Sequence, residues 1–232
     1  MCGIVGYTGF QDAYDIVING LRRLEYRGYD SAGIVLEDTN NSFEVKKTKG
    51  KVSDLVEISE NLKATSHVGM GHTRWATHGV PSDRNSHPHV SNDGKIALVH
   101  NGIIENYDTI KTMLIGKGFT FSSETDTEVL VNLIQYILDT QKINFSEAVR
   151  YALNEVYGAY AITVMHKDYP GVLVVGRLGS PLAIGLGDKE YFIASDASPF
   201  VEFTKEAVYL EDGHMATISL ENGVDIRSIK EN

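Results

Sequence analysis

The sequence predicts an α+β fold in which helices cover the faces of antiparallel sheets. Short β-rich segments lie near both ends of the 232-residue chain, whereas the longest helical patterns lie in the middle. Apolar residues make up 42% of the chain, which is enough to form a sizeable core without disulfides. Because no repeat and no long linker divides the sequence, we expect one domain spanning residues 1–232.

The first third of the chain predicts three strands and two helices. Glycines flank the first strand, where they permit close backbone approach, and Cys2 lies at its beginning. Apolar residues then recur at helical spacing until the breaker Gly28, and a later Asp-Thr-Asn-Asn turn predicts a hairpin. The predicted strands are 4–7, 32–36 and 43–47, and the predicted helices are 12–24 and 52–62.

The remaining sequence predicts two helices between strands. Gly, His and Pro residues over 67–90 predict loops around short strands, and a buried strand at 96–99 leads into Asn101-Gly102. Thr125 and Asn144 each precede a glutamate by three residues and an apolar helical stripe, which predicts two N-capped helices. Later β-rich runs predict an antiparallel meander over 162–165, 172–175, 184, 191–194, 208–210, 216–220 and 224–229.

The composition excludes several classes of protein. A formal net charge of −10 disfavours a nucleic-acid surface, since phosphate neutralisation needs clustered Lys and Arg. No apolar run approaches the roughly 20 residues that span a bilayer, and the N-terminus resembles no signal peptide. A lone cysteine, Cys2, cannot form an internal disulfide and suits a reducing compartment. We therefore expect a soluble cytoplasmic protein that binds neither membrane nor nucleic acid.

Cys2 is the most informative residue for chemistry. Removal of Met1 would place a thiol and a free α-amine on one residue, so that the nucleophile carries its own base. The ordinary pKa values are about 8.5 for the thiol and about 7.7 to 8.0 for the amine, so proton exchange between them costs little. A buried cysteine with no catalytic role is the alternative.

Three further segments offer binding or catalytic groups. Asn101-Gly102 fits either a hairpin turn or an oxyanion hole made of the Asn side-chain amide and the Gly backbone N–H. Arg74 has a planar guanidinium suited to a carboxylate, with Trp75 beside it as core or as a lid, although a surface salt bridge would also explain Arg74. Asp126 begins the best-defined helix, where it either serves the helix dipole or binds a substrate ammonium.

The histidines at 72, 78, 87, 89 and 100 do not indicate a metal site. Neither an HExxH motif nor paired CxxC spacing occurs, and the single cysteine is terminal. No glycine loop of the Walker type occurs either, so nucleotide binding has no support in the sequence. We expect no metal and no cofactor.

Five motifs, taken together and in this order, resemble the glutaminase domain of the class II glutamine amidotransferases, whose nucleophile is an N-terminal cysteine. They lie at 1–6 (MCGIVG), 27–33 (RGYDSAG), 72–79 (HTRWATHG), 100–106 (HNGIIEN) and 123–128 (SETDTE). The resemblance spans nearly the whole chain. The sequence around 26–30 and 74–79 most resembles one branch of that family. Members of this branch pass ammonia to fructose 6-phosphate in the biosynthesis of an amino sugar.

The resemblance implies a four-layer αββα sandwich of the N-terminal-nucleophile hydrolase type, with two antiparallel sheets between helical layers. It also implies that the Cys2 thiol attacks the glutamine side-chain amide, that Asn101 and Gly102 hold the oxyanion, and that the α-amine protonates the departing ammonia. Water then releases glutamate from a thioester. Glutamine would be the substrate, with glutamate and ammonia as products.

The same resemblance assigns the substrate contacts. Arg74, with Thr77 and His78 nearby, would bind the glutamine carboxylate, while Asp126 and the Gly102 carbonyl would receive its ammonium. Trp75 would lie in a loop that closes over glutamine. Arg27 would orient the nucleophile without contacting glutamine itself.

Proteins of this branch continue into two sugar-phosphate isomerase domains that accept the ammonia, and the full-length enzymes are expected to be homo-oligomers. This sequence ends at Asn232. It therefore represents either an excised glutaminase domain or a naturally short relative. Two other interpretations stay open: a glutaminase that serves a different acceptor, and a non-catalytic module that binds glutamine through Arg74 and Asp126 without turnover.

Overall fold

Two antiparallel sheets stack on one another in the computed structural model, and helices cover their outer faces. The structure describes residues 2–63, 66–75 and 80–230. The strands are β1 (Gly3–Thr8), β2 (Ser31–Glu37), β3 (Phe43–Lys49), β4 (Val68–Arg74), β5 (His89–Val90), β6 (Ile96–Ile104), β7 (Gly158–His166), β8 (Leu173–Leu178), β9 (Ala183–Gly187), β10 (Glu190–Ala194), β11 (Ala207–Tyr209), β12 (His214–Ser219) and β13 (Gly223–Ser228). The helices are α1 (Ala13–Leu24), α2 (Val52–Ser59), α3 (Tyr107–Gly116), α4 (Asp126–Gln141) and α5 (Phe145–Glu155), with short 3-10 turns at Glu25–Arg27 and Glu60–Leu62.

The strand order places the N-terminus at the middle of one sheet. The seven-stranded sheet has the order β11-β9-β10-β1-β4-β2-β3, and the six-stranded sheet has the order β13-β12-β8-β7-β6-β5. Strand β1 pairs with β4 and β10, and β6 pairs with β7, all antiparallel. The segments that carry Cys2, Arg74 and Asn101 therefore lie on interior strands of the two sheets.

Three hydrophobic clusters correspond to the spaces between four layers. In β1, Ile4 joins the cluster between the sheets, which also contains Val99 and Ala161 of the other sheet. Val5 and Tyr7 join the cluster beneath α1 and α2, as the period of two in a strand requires. A third cluster lies between the six-stranded sheet and helices α3, α4 and α5. The predicted four-layer αββα sandwich is confirmed.

The two predicted N-capped helices are present. The Thr125 side chain accepts a hydrogen bond from Glu128 N at 3.3 Å, and the Asn144 side chain accepts one from Glu147 N at 2.9 Å. The Glu128 carboxylate does not complete the predicted capping box, because it accepts instead from Ser122 and Ser123. None of the helices within the described ranges combines the length and the apolar character needed to cross a bilayer.

The expected short strands in the region 67–90 are present as β4, which lies between β1 and β2, and β5. The structure corrects three other expectations. Helix α3 is absent from the sequence prediction, and only Ile110 and Leu114 of it are buried. Strand β6 continues beyond Val99 through Ile104. The expected meander is divided: β9, β10 and β11 join the seven-stranded sheet, whereas β7, β8, β12 and β13 form part of the other. Side-chain alternation defines a strand but leaves its pairing partner open.

Candidate functional site

The Cys2 thiol lies against the backbone at the end of β4. Trp75 N donates to Cys2 Sγ at 3.1 Å, and the thiol contacts Trp75 O at 3.5 Å. Burial raises the pKa of the Cys2 thiol, and the Trp75 N–H opposes this rise only in part. The thiol is therefore protonated near neutral pH and needs a base before it can act as a nucleophile.

Arg27 fixes the backbone of Cys2. Its guanidinium is buried, and Nε donates to Cys2 O at 3.1 Å while Nη1 donates to Asp196 at 3.2 Å. The Tyr26 hydroxyl donates to the same Asp196 carboxylate. Arg27 thus contacts Cys2 through its backbone carbonyl and links it to Asp196.

Asn101 and Gly102 reach the same point from the other sheet. Asn101 Nδ2 lies 3.0 Å from Cys2 O and 3.0 Å from Ser195 Oγ and donates to both. Gly102 has a φ of +132°, and a Cβ added there would lie 2.0 Å from Ala159 O on β7. Only glycine fits this position, because both the backbone angle and the neighbouring carbonyl exclude a side chain.

The hairpin-turn interpretation of Asn101-Gly102 is wrong. Both residues lie within β6, where Asn101 pairs with Ala161 and Gly102 pairs with Tyr160 of β7. The positive φ therefore belongs to a distortion inside a paired strand and not to a two-residue loop. What the turn dipeptide indicates correctly is a backbone that L side chains rarely adopt.

The structure excludes the simpler explanation for Arg74 and leaves both explanations open for Asp126. Arg74 is only 3% exposed at the end of β4, so it is not part of a surface salt bridge. Thr125 caps helix α4, and Asp126 lies in the first turn, where a carboxylate suits the helix dipole. The Asp126 carboxylate also accepts from Ile104 N at 2.8 Å and lies 3.9 Å from His100 Nδ1.

One cavity of about 230 Å³ joins these residues. Cys2, Asn101 and Gly102 line it together with Arg74 and Asp126, so it contains the thiol, two candidate oxyanion donors, a cation and an anion. This volume suits a small polar molecule such as an amino acid. The other described residues that line it are Arg27, Trp75, His87, His100, Ile103, Thr125, Thr127, Ser180 and Pro181.

Trp75 is one of the residues that line this cavity. The residue is 51% exposed, and its ring packs edge-on against Tyr29, with the ring centroids 5.6 Å apart. Trp75 is therefore not the simple core residue that one interpretation offered. Two predicted substrate contacts, Thr77 and His78, lie outside the described residues.

Four buried histidines lie together at this site, and two of them, His87 and His100, line the cavity. The His72 and His87 rings stack at 4.2 Å, and His89 meets His87 edge-on at 4.9 Å. Thr127 Oγ1 lies 2.8 Å from His87 Nε2 and 3.0 Å from His100 Nδ1. Burial lowers the pKa of His72 to about 3 and lowers the pKa values of His87 and His89 well below 6.5, so these rings are neutral.

The contacts of His72 and Ser195 lie beyond what the sequence predicts. Ser195 follows β10, and its hydroxyl accepts from Ile4 N at 2.8 Å as well as from Asn101 Nδ2. No local pattern marks this serine, because its two partners are 191 and 94 residues away along the chain. His72 stands in a recognisable motif, but its contact with Asn101 requires the stacking of the two sheets.

Known proteins are similar to this chain over nearly its whole length. The chain is 54% identical over 219 residues to a glutamine-fructose-6-phosphate aminotransferase (isomerizing) of Bacteroides thetaiotaomicron, and the match covers 94% of this chain and 36% of that protein. It is 48% identical over 230 residues to the protein of the same name from Thermus thermophilus, covering 99% of this chain and 37% of that protein. The chain therefore spans little more than a third of the length of these relatives.

Solved structures share the fold. A glutamine phosphoribosylpyrophosphate amidotransferase from B. subtilis superposes with a TM-score of 0.84 at 29% identity, over 100% of this chain and 50% of that one. A glutamine aminotransferase class-II domain protein from Silicibacter pomeroyi superposes with a TM-score of 0.64 at 16% identity, a likeness of fold alone. The model of the glutamine amidotransferase domain family matches residues 58–221, most of the chain, and this chain belongs to that family.

Proposed function

We propose that this chain hydrolyses the side-chain amide of glutamine to glutamate and ammonia, with Cys2 as the nucleophile. The observation that carries the proposal is a single cavity lined by the Cys2 thiol, by Asn101 and Gly102, and by the opposite charges of Arg74 and Asp126. A thiol beside oxyanion donors suits acyl transfer, and the two charges suit the α-carboxylate and α-ammonium of an amino acid.

The first half-reaction forms a thioester. After removal of Met1, the α-amine of Cys2 accepts the thiol proton while Sγ attacks the amide carbon. Asn101 Nδ2, which gives up one of its two present acceptors, and the Gly102 N–H then donate to the oxygen that becomes negative. The amine returns the proton to the leaving nitrogen, the C–N bond breaks, and ammonia leaves a glutamyl thioester on Cys2.

The second half-reaction regenerates the thiol. The α-amine, now neutral, accepts a proton from water as the water oxygen attacks the thioester carbon. The same oxyanion donors stabilise the second tetrahedral intermediate. The C–S bond breaks, sulfur recovers the proton, and glutamate leaves.

The charged groups hold the substrate by its backbone end. The Arg74 guanidinium binds the glutamine carboxylate, and Asp126, with the Gly102 carbonyl, receives the ammonium. Thr77 and His78 belong to the same proposal as further carboxylate contacts. Arg27 orients Cys2, and Trp75 covers the bound glutamine and keeps bulk water out.

The same proposal extends to the longer protein. Relatives that share this domain are named for transfer to fructose 6-phosphate, and the chain covers 36% of the length of one of them. We propose that the ammonia passes to fructose 6-phosphate in isomerase domains beyond this one, in the cytoplasm, where the thiol stays reduced. Full-length protein supplied with glutamine and fructose 6-phosphate should then form an amino sugar phosphate.

The direct test is a Cys2→Ala variant of this chain. We expect glutamate release to fall on the order of 10³-fold or more, since the variant cannot form the thioester. Glutamine binding measured by calorimetry should persist, because Arg74 and Asp126 remain. Glutamate release at the parent rate in this variant would contradict the proposal.

The terminal-amine role has its own test. Mass spectrometry of the active parent protein should give a mass lower by one methionine residue, with Cys2 as the first residue. A preparation that keeps Met1 should release glutamate far more slowly, because its amine belongs to the wrong residue. Full activity with Met1 in place would exclude the α-amine as the base.

A further inference from the structure

We propose that His72 is a positioning residue that holds the Asn101 side chain with its N–H group facing Cys2. The inference rests on the proposed function, in which Asn101 donates to the oxyanion. His72 lies on β4 of the seven-stranded sheet and Asn101 on β6 of the six-stranded sheet. The contact between their side chains therefore crosses from one sheet to the other.

The position of a hydrogen on His72 follows from its two partners. His72 Nε2 lies 3.0 Å from His100 O and 2.8 Å from Asn101 Oδ1. A backbone carbonyl has no hydrogen to give, so Nε2 carries the hydrogen and donates. The Asn101 atom beside it must then be the acceptor Oδ1, because an amide N–H₂ facing the same hydrogen would be repelled.

The N–H of His72 therefore fixes the orientation of the Asn101 amide. With Oδ1 facing His72, Nδ2 faces Cys2 O and Ser195 Oγ, each at 3.0 Å. The reversed amide would place an oxygen beside Cys2, where negative charge develops on the substrate. Within the described part of the chain, His72 is the one group that donates to Asn101 Oδ1.

The surroundings keep His72 in this protonation state. Burial lowers its pKa to about 3, so the ring is neutral and has one N–H. His72 Nδ1 is buried without a hydrogen-bond partner among the described residues, so a hydrogen there would go unpaired. The His87 ring stacks on His72 at 4.2 Å and restricts its rotation.

The test compares two variants of this chain. His72→Phe keeps a planar ring against His87 but removes the donor, and we expect kcat for glutamate release to fall on the order of 10²-fold with KM changed less than about twofold. His72→Gln has an amide N–H at similar reach and should recover most of the lost kcat. If H72F does not fold, H72N, whose donor is one methylene shorter, replaces it in the same comparison.

A double-mutant cycle separates positioning from general damage. If His72 acts through Asn101, then H72F should lower kcat little further once N101A has removed the amide. The matched control is His166→Phe, a buried histidine of β7 packed between Phe145 and Tyr169, which should leave kcat unchanged. Thermal unfolding of each variant shows that the folded protein was assayed.

Each outcome has a distinct meaning. Equal fractional losses from H72F in the parent and in N101A would overturn the positioning role, as would a loss confined to KM. If N101A alone left kcat unchanged, the oxyanion role in the proposed function would fail, and the role of His72 with it. If N101A lowered kcat but H72F did not, only the inference about His72 would fail.

Discussion

Gly102 determines how closely β6 and β7 approach beside the thiol. Its φ is +132°, and the Ala159 carbonyl oxygen lies 2.0 Å from the point that a Cβ would occupy, so there is no room for a methyl group. We expect Gly102→Ala to lower the free energy of unfolding by more than about 2 kcal/mol, since it adds a backbone clash to an unfavourable angle. Chemical denaturation measures this loss, and glutamate release should fall with it.

Gly94 provides the matched control for that prediction. It also has a positive φ, +73°, but a Cβ there would meet nothing within 4 Å. Gly94→Ala should therefore cost only the conformational penalty, about 1 kcal/mol, and leave glutamate release unchanged. Similar losses of stability from the two variants would show that the Ala159 carbonyl moves aside easily.

Residue-scale chemistry is predictable where several groups share a motif. The sequence singles out Cys2, Arg74, Asn101 and Asp126, and all four line one cavity. It does not single out Ser195, because a lone serine carries no signal and its bond to Asn101 exists only after β10 has paired with β1. The conformation around Gly102 also escapes prediction, since an Asn-Gly pair is more typical of a turn.

At the scale of elements, the beginning of α4 sets the place of one proposed substrate contact, Asp126. Thr125 caps the helix by accepting from Glu128 N, and its hydroxyl also lies 3.0 Å from His89 Nε2. Asp126 is the first residue of the helix, directly after the cap, so the hydrogen bond of Thr125 also fixes the backbone that carries the Asp126 carboxylate. A change at the cap should therefore alter the proposed ammonium site.

We expect Thr125→Ala to lower the free energy of unfolding by about 1 to 2 kcal/mol and to raise KM for glutamine severalfold. The matched control is Asn144→Ala, because Asn144 caps α5 through an equivalent bond to Glu147 N at 2.9 Å. That variant should lose similar stability while KM stays at the parent value. Steady-state kinetics at saturating and limiting glutamine distinguishes the two variants. An unchanged KM in T125A would show that the cap does not position Asp126 for substrate binding.

Elements with strong local signals are predictable from the sequence, and elements held by tertiary packing are not. Helices α4 and α5 carry both a capping residue and a long apolar stripe. Helix α3 has no side-chain cap at Asn106 and buries only Ile110 and Leu114, so its pattern is weak. The division of the later strands between two sheets depends on contacts far apart in sequence, which alternation within each strand cannot encode.

At the scale of the whole molecule, the site exists only because the two sheets stack. Cys2 and Arg74 belong to the seven-stranded side, whereas Asn101 and Gly102 belong to the six-stranded side. The bonds from Asn101 Nδ2 to Cys2 O and to Ser195 Oγ cross between them. Polar groups buried between two sheets need hydrogen-bond partners, so the geometry of the site and the packing of the layers depend on one another.

The buried histidines make that packing sensitive to acid. His72 of one sheet and the neighbouring His87 and His89 have pKa values held below 6.5, chiefly by burial. In the unfolded chain these histidines have the ordinary pKa of about 6.5. They then bind protons at pH values at which the folded state keeps them neutral. Above about pH 7 the histidines are neutral in both the folded and the unfolded state, so they do not affect the free energy of unfolding. As pH drops below about 6.5, only the unfolded state binds the protons, and the free energy of unfolding falls.

We expect the free energy of unfolding to decrease between pH 7.5 and pH 5 by about 2 kcal/mol for each of these histidines. The ordinary pKa values of carboxylates lie near 4, below this window, but burial raises the pKa of Glu37 and lowers the pKa of His166, so these two groups also contribute to the slope. Denaturant titrations across the range measure the slope. His89→Gln removes one of the three groups and should shrink the loss by about 2 kcal/mol. The cluster joins both sheets. If the free energy of unfolding did not change with pH in the parent, or changed equally in H89Q, then these histidines would bind protons while the two sheets stay packed together.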